Sequence, residues 1–442
     1  MTSRRLSPTP SRPPGSRNRR PPEPTSRPAP AIIHRRRLRR IGPAELAARP
    51  GVAQRGADVR RPSGFLLLGA LVAVLNIIGL VMVLSASSVQ SLQESGSTWT
   101  YFLRQATWLG LSTVALVITA TVDYRRWRRL TLPLLGLSTL LLVVVLHPAI
   151  GVKVNGARSW FDFGAIRMQP SELAKLALLL FCADLLARRS HRLAESRLTL
   201  RPVLLVGGLL TGLVLVQSDL GAAIVIGAIV VSILFLAGIP LGRLTGVLGL
   251  GAVGFLGMAL GETYRRDRLL VFLHPGADPL DTGYQITQSL TGVASGGLLG
   301  VGLGASRAKY GFLPNAHTDF IFAIIGEELG LVGGVLVVGL FLAFAGLGVR
   351  TALAAPDRFG MLVAGGITAW LLTQALVNIG GVLGLLPITG LTLPFISFGG
   401  SSLVVTMAAT GILLNIARQE SPRRPPSPRS NEPKRAGPTQ TA

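Results

Sequence analysis

Asp319 stands in the run Pro314-Asn315-Ala316-His317-Thr318-Asp319-Phe320-Ile321-Phe322, at the mouth of a long apolar stretch. An Asp in a first helical turn is favoured by the macrodipole, so this placement alone does not make it functional. Here Asn315 or Thr318 already offers a capping oxygen, and His317 adds a second proton-active group. A carboxylate beside a water-accessible cavity could take a proton from a substrate hydroxyl. Few other ionisable residues touch apolar stretches. Glu172 and Lys175 lie at i and i+3 and can pair on one helical face, a structural reading at least as good as substrate contact. Asp219 sits in the turn Gln217-Ser-Asp-Leu-Gly221, where Asp commonly caps a helix. Glu327 and Glu328 lie roughly 12–14 Å deeper along the helix that Asp319 would begin, on different sides of it. Ionisable groups at membrane depth are costly and are functional candidates by default.

Recognition of a sugar or phosphate would need cations and flat apolar surfaces. Arg158 and Trp160, in Asn155-Gly-Ala-Arg-Ser-Trp160, pair an anion binder with a stacking platform. Trp160 is equally read as an interface anchor. Arg265 and Arg268 follow an apolar stretch, where arginines also snorkel. No phosphate-binding glycine loop, dinucleotide fingerprint, nucleophile elbow or metal-ligand cluster appears in a credible context. Cys182, the single cysteine, lies in an apolar run and reads as a small buried hydrophobe.

The elements that must position these residues are membrane helices. The 442 residues are 49% hydrophobic, only 14% charged and contain 53 glycines, which suits a polytopic membrane protein. Spans are expected near 64–88, 106–123, 130–147, 171–187, 202–217, 220–238, 243–262, 319–347, 359–380 and 401–417. The fold class is therefore an all-α membrane protein of about ten helices, residues 64–417, between basic disordered tails at 1–63 and 418–442. Most of the net charge of +24 lies in those tails, which face anionic lipid and the cytoplasm and not a nucleic acid. The first apolar stretch begins too late for a signal peptide. The distribution of Lys and Arg puts both ends in the cytoplasm. Three outer segments remain: 148–170, 263–318 and 381–400. The second is a large loop between the seventh and eighth spans. The third is apolar but broken by Pro387, Gly390, Pro394, Gly399 and Gly400, as in a re-entrant loop lining a cavity.

Six segments together resemble the SEDS family (shape, elongation, division and sporulation; FtsW, RodA and SpoVE). They are Asn155-Gly-Ala-Arg-Ser-Trp160, Gln169-Pro-Ser-Glu-Leu-Ala-Lys175, Gln217-Ser-Asp-Leu-Gly221, Asp281-Thr-Gly-Tyr-Gln-Ile-Thr-Gln-Ser289, His317-Thr-Asp-Phe-Ile-Phe-Ala-Ile-Ile-Gly-Glu-Glu-Leu-Gly330 and Gly390-Leu-Thr-Leu-Pro-Phe-Ile-Ser-Phe-Gly-Gly-Ser-Ser402. The likeness covers roughly 64–417 in the family's order. Gly326-Glu-Glu-Leu-Gly330 and Gly390-Leu-Thr-Leu-Pro394 look like the division type, and the Arg/Ala-rich composition and tails like an actinobacterial version.

The resemblance implies a peptidoglycan glycosyltransferase of the bacterial cytoplasmic membrane, working at the septum. Its substrate would be lipid II, and its partners a class B penicillin-binding protein, other divisome proteins and membrane lipids. The GlcNAc 4-hydroxyl would attack C1 of MurNAc with inversion, displacing undecaprenyl diphosphate, with Asp319 as general base. Arg265 and Arg268 become candidates for the diphosphate, and Trp160, Arg158, His317, Lys175, Glu172, Gln285 and Ser401 for substrate binding. The resemblance implies no definite cofactor, a divalent cation such as Mg2+ being the one candidate. Rival implications are a lipid II flippase, an elongation polymerase of the RodA type and a non-catalytic scaffold. The chain departs from the family in carrying Thr389 for a usual Lys and Gly311 for a usual acid. Ser218 also stands for the usual Pro and Phe398 for the usual Tyr.

Overall fold

The computed structural model describes residues 64–419 apart from 155, 165–166, 194 and 262–282; Arg265, Arg268 and the two expected tails lie outside the described residues. Helices α1 (Gly64–Ser95), α2 (Thr100–Thr121) and α3 (Trp127–Val144) come first. Three strands follow, β1 (Gly151–Val154), β2 (Ala157–Asp162) and β3 (Arg167–Met168). Then come α4 (Pro170–Arg188), α5 (Leu200–Val216), α6 (Leu220–Ala237), α7 (Leu241–Gly261) and α8 (Tyr284–Ser295). The chain closes with α9 (Ile321–Ala354), α10 (Arg358–Val382) and α11 (Gly400–Arg418).

Each of the ten expected spans corresponds to a helix. By length and apolarity alone seven qualify to cross a membrane, namely α1, Tyr124–Val144 containing α3, α2, α6, α9, α10 and α11. Helix α5 and the Leu241–Gly254 part of α7 are apolar but shorter. Helix α4 holds Glu172, Lys175, Asp184 and Arg188, yet it buries residues around its whole circumference and lies at the centre of the bundle. Local chemistry sets the helix ends. Pro170 opens α4, where its missing N–H is no loss. The Asp219 carboxylate accepts from Ala222 N at 2.9 Å and caps α6, as its turn suggested.

The connecting segments expected on the outer side depart from a purely helical plan. Residues 151–168 form an antiparallel sheet in the order β1-β2-β3, with Val152 opposite Trp160 and Phe161 opposite Met168. The segment before Asp319 contains a further helix, α8, tied to α10 by Ser289 Oγ donating to Val382 O at 2.8 Å.

The largest correction concerns the eighth span. It begins at Ile321, not at Asp319, and breaks at Gly330, where φ is 65° and ψ −163°. Loop 297–302 hooks onto the break. Leu331 N donates to Gly297 O at 2.9 Å, Val332 N to Leu298 O at 3.2 Å, and Val301 N to Glu327 O at 3.0 Å. The 24 residues from Leu331 to Ala354 remain long enough to span, about 36 Å at helical rise. Glu327 and Glu328 therefore end a short first piece and do not lie deep in a continuous helix. Both face loop 304–309. Glu327 accepts from Ser306 Oγ at 2.5 Å and Arg307 N at 2.8 Å, and Glu328 accepts from Ser85 Oγ at 2.6 Å.

Gly330 occupies a conformation nearly closed to other residues, and a Cβ there would meet Gly300 N and lie 2.5 Å from Leu298 O. Gly330→Ala is expected to destabilise the protein by at least about 1–3 kcal/mol. Gly339→Ala, on the same helix with nothing within 4 Å, should stay within about 1 kcal/mol. Thermal unfolding of the two variants in detergent checks the contrast.

Candidate functional site

Three consecutive carbonyls precede α9, and each has a donor. Phe398 N donates to His317 O at 3.0 Å. Ser397 Oγ donates to Thr318 O at 2.6 Å while accepting from Leu393 N at 2.8 Å. Asn378 Nδ2 donates to Asp319 O at 2.7 Å. The expected capping by Asn315 or Thr318 is not what forms. Thr318 Oγ1 donates backward to Asn315 O at 3.1 Å, Asn315 has a φ of 57°, and no side chain caps α9. The turn is held from outside, by loop 383–399 and α10.

That loop is irregular but buried from Leu391 to Ser397, as the pattern of prolines and glycines suggested. Two amides on one face of α10 satisfy its backbone. Gln374 Nε2 donates to Thr392 O at 3.1 Å, and Asn378 Nδ2 donates to Leu391 O at 2.6 Å. The Gln374 carbonyl in turn accepts from Lys175 Nζ at 3.0 Å and Trp370 Nε1 at 3.1 Å. Lys175 is fully buried, pairs with Glu172 at 2.8 Å and sits over the Trp370 ring. The Gln169-to-Lys175 motif therefore reaches the loop through Gln374. It also meets α11, where Ser401 Oγ accepts from Gln169 N at 3.1 Å, and α6, where Gln169 Nε2 donates to Asp219 at 2.7 Å.

Close backbone approach finishes the assembly. A Cβ on Gly221 would lie 2.9 Å from Thr389 O, and one on Gly390, whose φ is 74°, would lie 3.7 Å from Asp319 Oδ2. A narrow cleft results, about 210 Å³ counting its open mouth, lined by Asp319, Asn378, Ile388, Thr389, Gly390 and the end of α10. Asp319 is half-buried and is the only acid among the described residues of that lining. Thr389 brings a neutral residue to the lining, and residues 383–399 carry no cation at all. Among the described residues no three of His, Cys, Asp and Glu could hold a metal ion, so no protein-borne metal centre is proposed.

Of the candidate catalytic and substrate-binding residues named from sequence, Asp319 is the one among the described residues that lines this cleft. His317 is buried instead in an aromatic cage, 4.8 Å from the Tyr101 ring centroid and 5.5 Å from that of Phe398. Burial pushes its imidazole down to about 4, with Glu94 acting weakly the other way. It is neutral near pH 7 and is no proton-active neighbour of the cavity. Arg158 and Trp160 lie half-buried on β2, which is fastened to the Gln217 turn by Arg158 N donating to Gln217 O at 3.0 Å. Gln285 is half-buried in the first turn of α8. Gln374 and Asn378 were not anticipated, although two neutral amides one turn apart in an apolar helix are a usable signal.

The model of the cell cycle protein family FtsW/RodA/SpoVE matches residues 65–422. The chain is 42% identical over 386 residues to the probable peptidoglycan glycosyltransferase FtsW of Mycobacterium tuberculosis, covering 86% of this chain and 74% of that one. It is 40% identical over 359 residues to stage V sporulation protein E of Bacillus subtilis, covering 81% and 98%. Among solved structures it is similar to a chain of a peptidoglycan synthase complex described for its coordination of polymerization and crosslinking, with TM-score 0.67, 33% identity and 80% and 98% coverage. It is also similar to the rod shape determining protein RodA of Thermus thermophilus, with TM-score 0.59, 34% identity and 80% and 96% coverage.

Two measurements probe the scaffold. Lys175→Met leaves Glu172 charged and unpaired in the interior and should cost about 3–5 kcal/mol, most of which Glu172→Gln added to it recovers. Unfolding midpoints of the single and double variants check this. Between about 6.5 and about 4 the folded His317 binds fewer protons than the unfolded one. Stability should therefore fall as pH drops through that window, and His317→Phe should flatten the fall in a denaturation series from pH 7 to pH 4.

Proposed function

Because the chain belongs to the FtsW/RodA/SpoVE family of cell cycle proteins, we infer that it is a peptidoglycan glycosyltransferase polymerising lipid II into glycan strands for cell division. The observation that carries the reading is the position of Asp319, the only acid among the described residues lining a cleft onto which separate sequence motifs converge. In the reaction the GlcNAc 4-hydroxyl oxygen bonds to C1 of MurNAc as the C1–O bond to undecaprenyl diphosphate breaks, with inversion. The hydroxyl proton passes to the Asp319 carboxylate. The leaving diphosphate departs as an anion and needs no proton. The chain's contribution is to fix the main chain that carries the carboxylate, through the Asn378, Ser397 and Phe398 contacts to the carbonyls of Asp319, Thr318 and His317.

Arg265 and Arg268 are our candidates for the diphosphate, since Arg engages phosphate bidentately. Arg158 and Trp160 on the sheet are proposed for the sugar or lipid side. The protein is a multi-pass membrane protein. We place it in the cytoplasmic membrane at the septum, with both termini cytoplasmic and the cleft outward. A class B penicillin-binding protein that crosslinks the product is the proposed partner, with other divisome proteins beyond it. The flippase reading draws no support from Glu327 and Glu328, whose carboxylates are taken up by Ser306, Arg307 and Ser85.

Asp319→Asn is nearly isosteric and removes the base, so polymerisation of labelled lipid II by the purified protein should fall at least roughly 10²-fold. Membrane insertion and the unfolding midpoint should be retained. Near-normal glycan synthesis by the folded variant would end the general-base assignment.

A further inference from the structure

Asn378 has an unused atom. Its Nδ2 donates to Asp319 O at 2.7 Å and to Leu391 O at 2.6 Å, which commits both amide protons. Its Oδ1 has no hydrogen-bond partner among the described residues, although the residue is only 4% exposed. The amide cannot be turned over to relieve this, because Oδ1 would then face two carbonyl oxygens at hydrogen-bond distance. Gln374, one turn earlier on the same face, has both ends satisfied. A buried acceptor is rarely left unpaired, and such an exception asks for an explanation. This one belongs to a residue that lines the cleft with Asp319.

We propose that Asn378 Oδ1 accepts a hydrogen bond from the acceptor sugar, at the hydroxyl next to the one that reacts. This rests on the glycosyltransferase reading. The attacking 4-hydroxyl has one proton, which it gives to Asp319, so it cannot also donate to Asn378. The vicinal 3-hydroxyl of GlcNAc has a proton to spare. Vicinal oxygens on a pyranose lie close together, and Asn378, whose amide holds the Asp319 main-chain carbonyl, lines the same cleft as Asp319. The carboxylate and the amide oxygen then read the 3,4-diol as a pair. Asn378 thereby orients the nucleophile and favours acceptors with a free 3-hydroxyl.

The test uses lipid II lacking the GlcNAc 4-hydroxyl as donor, because it cannot itself be extended. Labelled lipid II, either native or lacking the GlcNAc 3-hydroxyl, is the acceptor. With the wild-type protein the 3-deoxy acceptor should lose about tenfold in kcat/KM, one hydrogen bond's worth of discrimination. Asn378→Ala should lose activity with the native acceptor but show little further loss with the 3-deoxy one. Where the alanine variant fails to fold, Asn378→Ser, which can still donate to one of the two carbonyls, takes its place. Equal wild-type rates on the two acceptors overturn the proposal whatever the variants do. So do penalties that multiply in a folded variant. A wild-type protein that joins no donor to the native acceptor would instead overturn the glycosyltransferase reading itself.

Discussion

The architecture depends on holding three successive carbonyls, those of His317, Thr318 and Asp319, from one side. A backbone that leaves helical geometry inside a membrane protein must find partners within the protein, because lipid offers none. The turn before α9 obtains them from a backbone amide, a hydroxyl and a carboxamide on two other segments. Asp319 cannot shift without breaking contacts that also order the Leu391–Ser397 loop. The carboxylate and the loop over it are therefore one mechanical unit. Gly79 and Gly221 complete it by letting helices α1 and α6 touch the loop's backbone directly, with a Cβ on Gly79 only 2.7 Å from Phe395 O.

Charge takes part at one remove. Lys175 and Glu172 neutralise each other, and the ammonium's other partner is the Gln374 carbonyl. The polarised amide then donates to Thr392 O. A neutral relay of this kind keeps a full charge out of the cleft and still draws on the strength of a charge-assisted hydrogen bond. It gives the Gln169-to-Lys175 motif a reason to exist without any contact to a reacting atom.

The spans were legible because a bilayer demands long apolar helices and little else of them, and the Asp219 cap because a polar turn between two apolar runs has few other readings. Asp319 was legible as an acid at a helix mouth. What surrounds it was not, for identifiable reasons. A glycine inside a membrane helix is usually tolerated, so nothing marked Gly330 as a break; only the loop paired against it does. The sheet at 151–168 has strands of two to six residues between glycines, too short for alternation to stand out. His317 looked reactive because of its neighbours in sequence, but its neighbours in space are rings. The deciding groups, Gln374 and Asn378, are uncharged and lie inside an apolar helix, outside the segments that carried the family resemblance.

Helix α4 carries a consequence for how the chain is made. Two of its three ion pairs are internal, Glu172 with Lys175 three residues on and Asp184 with Arg188 four residues on, and the third joins Asp184 to Arg128 of the preceding helix α3. Pairs at these spacings form in an isolated helix, before any partner helix arrives. The segment can therefore enter the bilayer with its charges already compensated, which lowers the barrier that single ions would raise. Gln374 and Trp370 belong to a helix synthesised nearly two hundred residues later and find the ammonium already in place. The order of synthesis and the order of assembly agree: the most polar span is self-sufficient on arrival, and the later helices close around it.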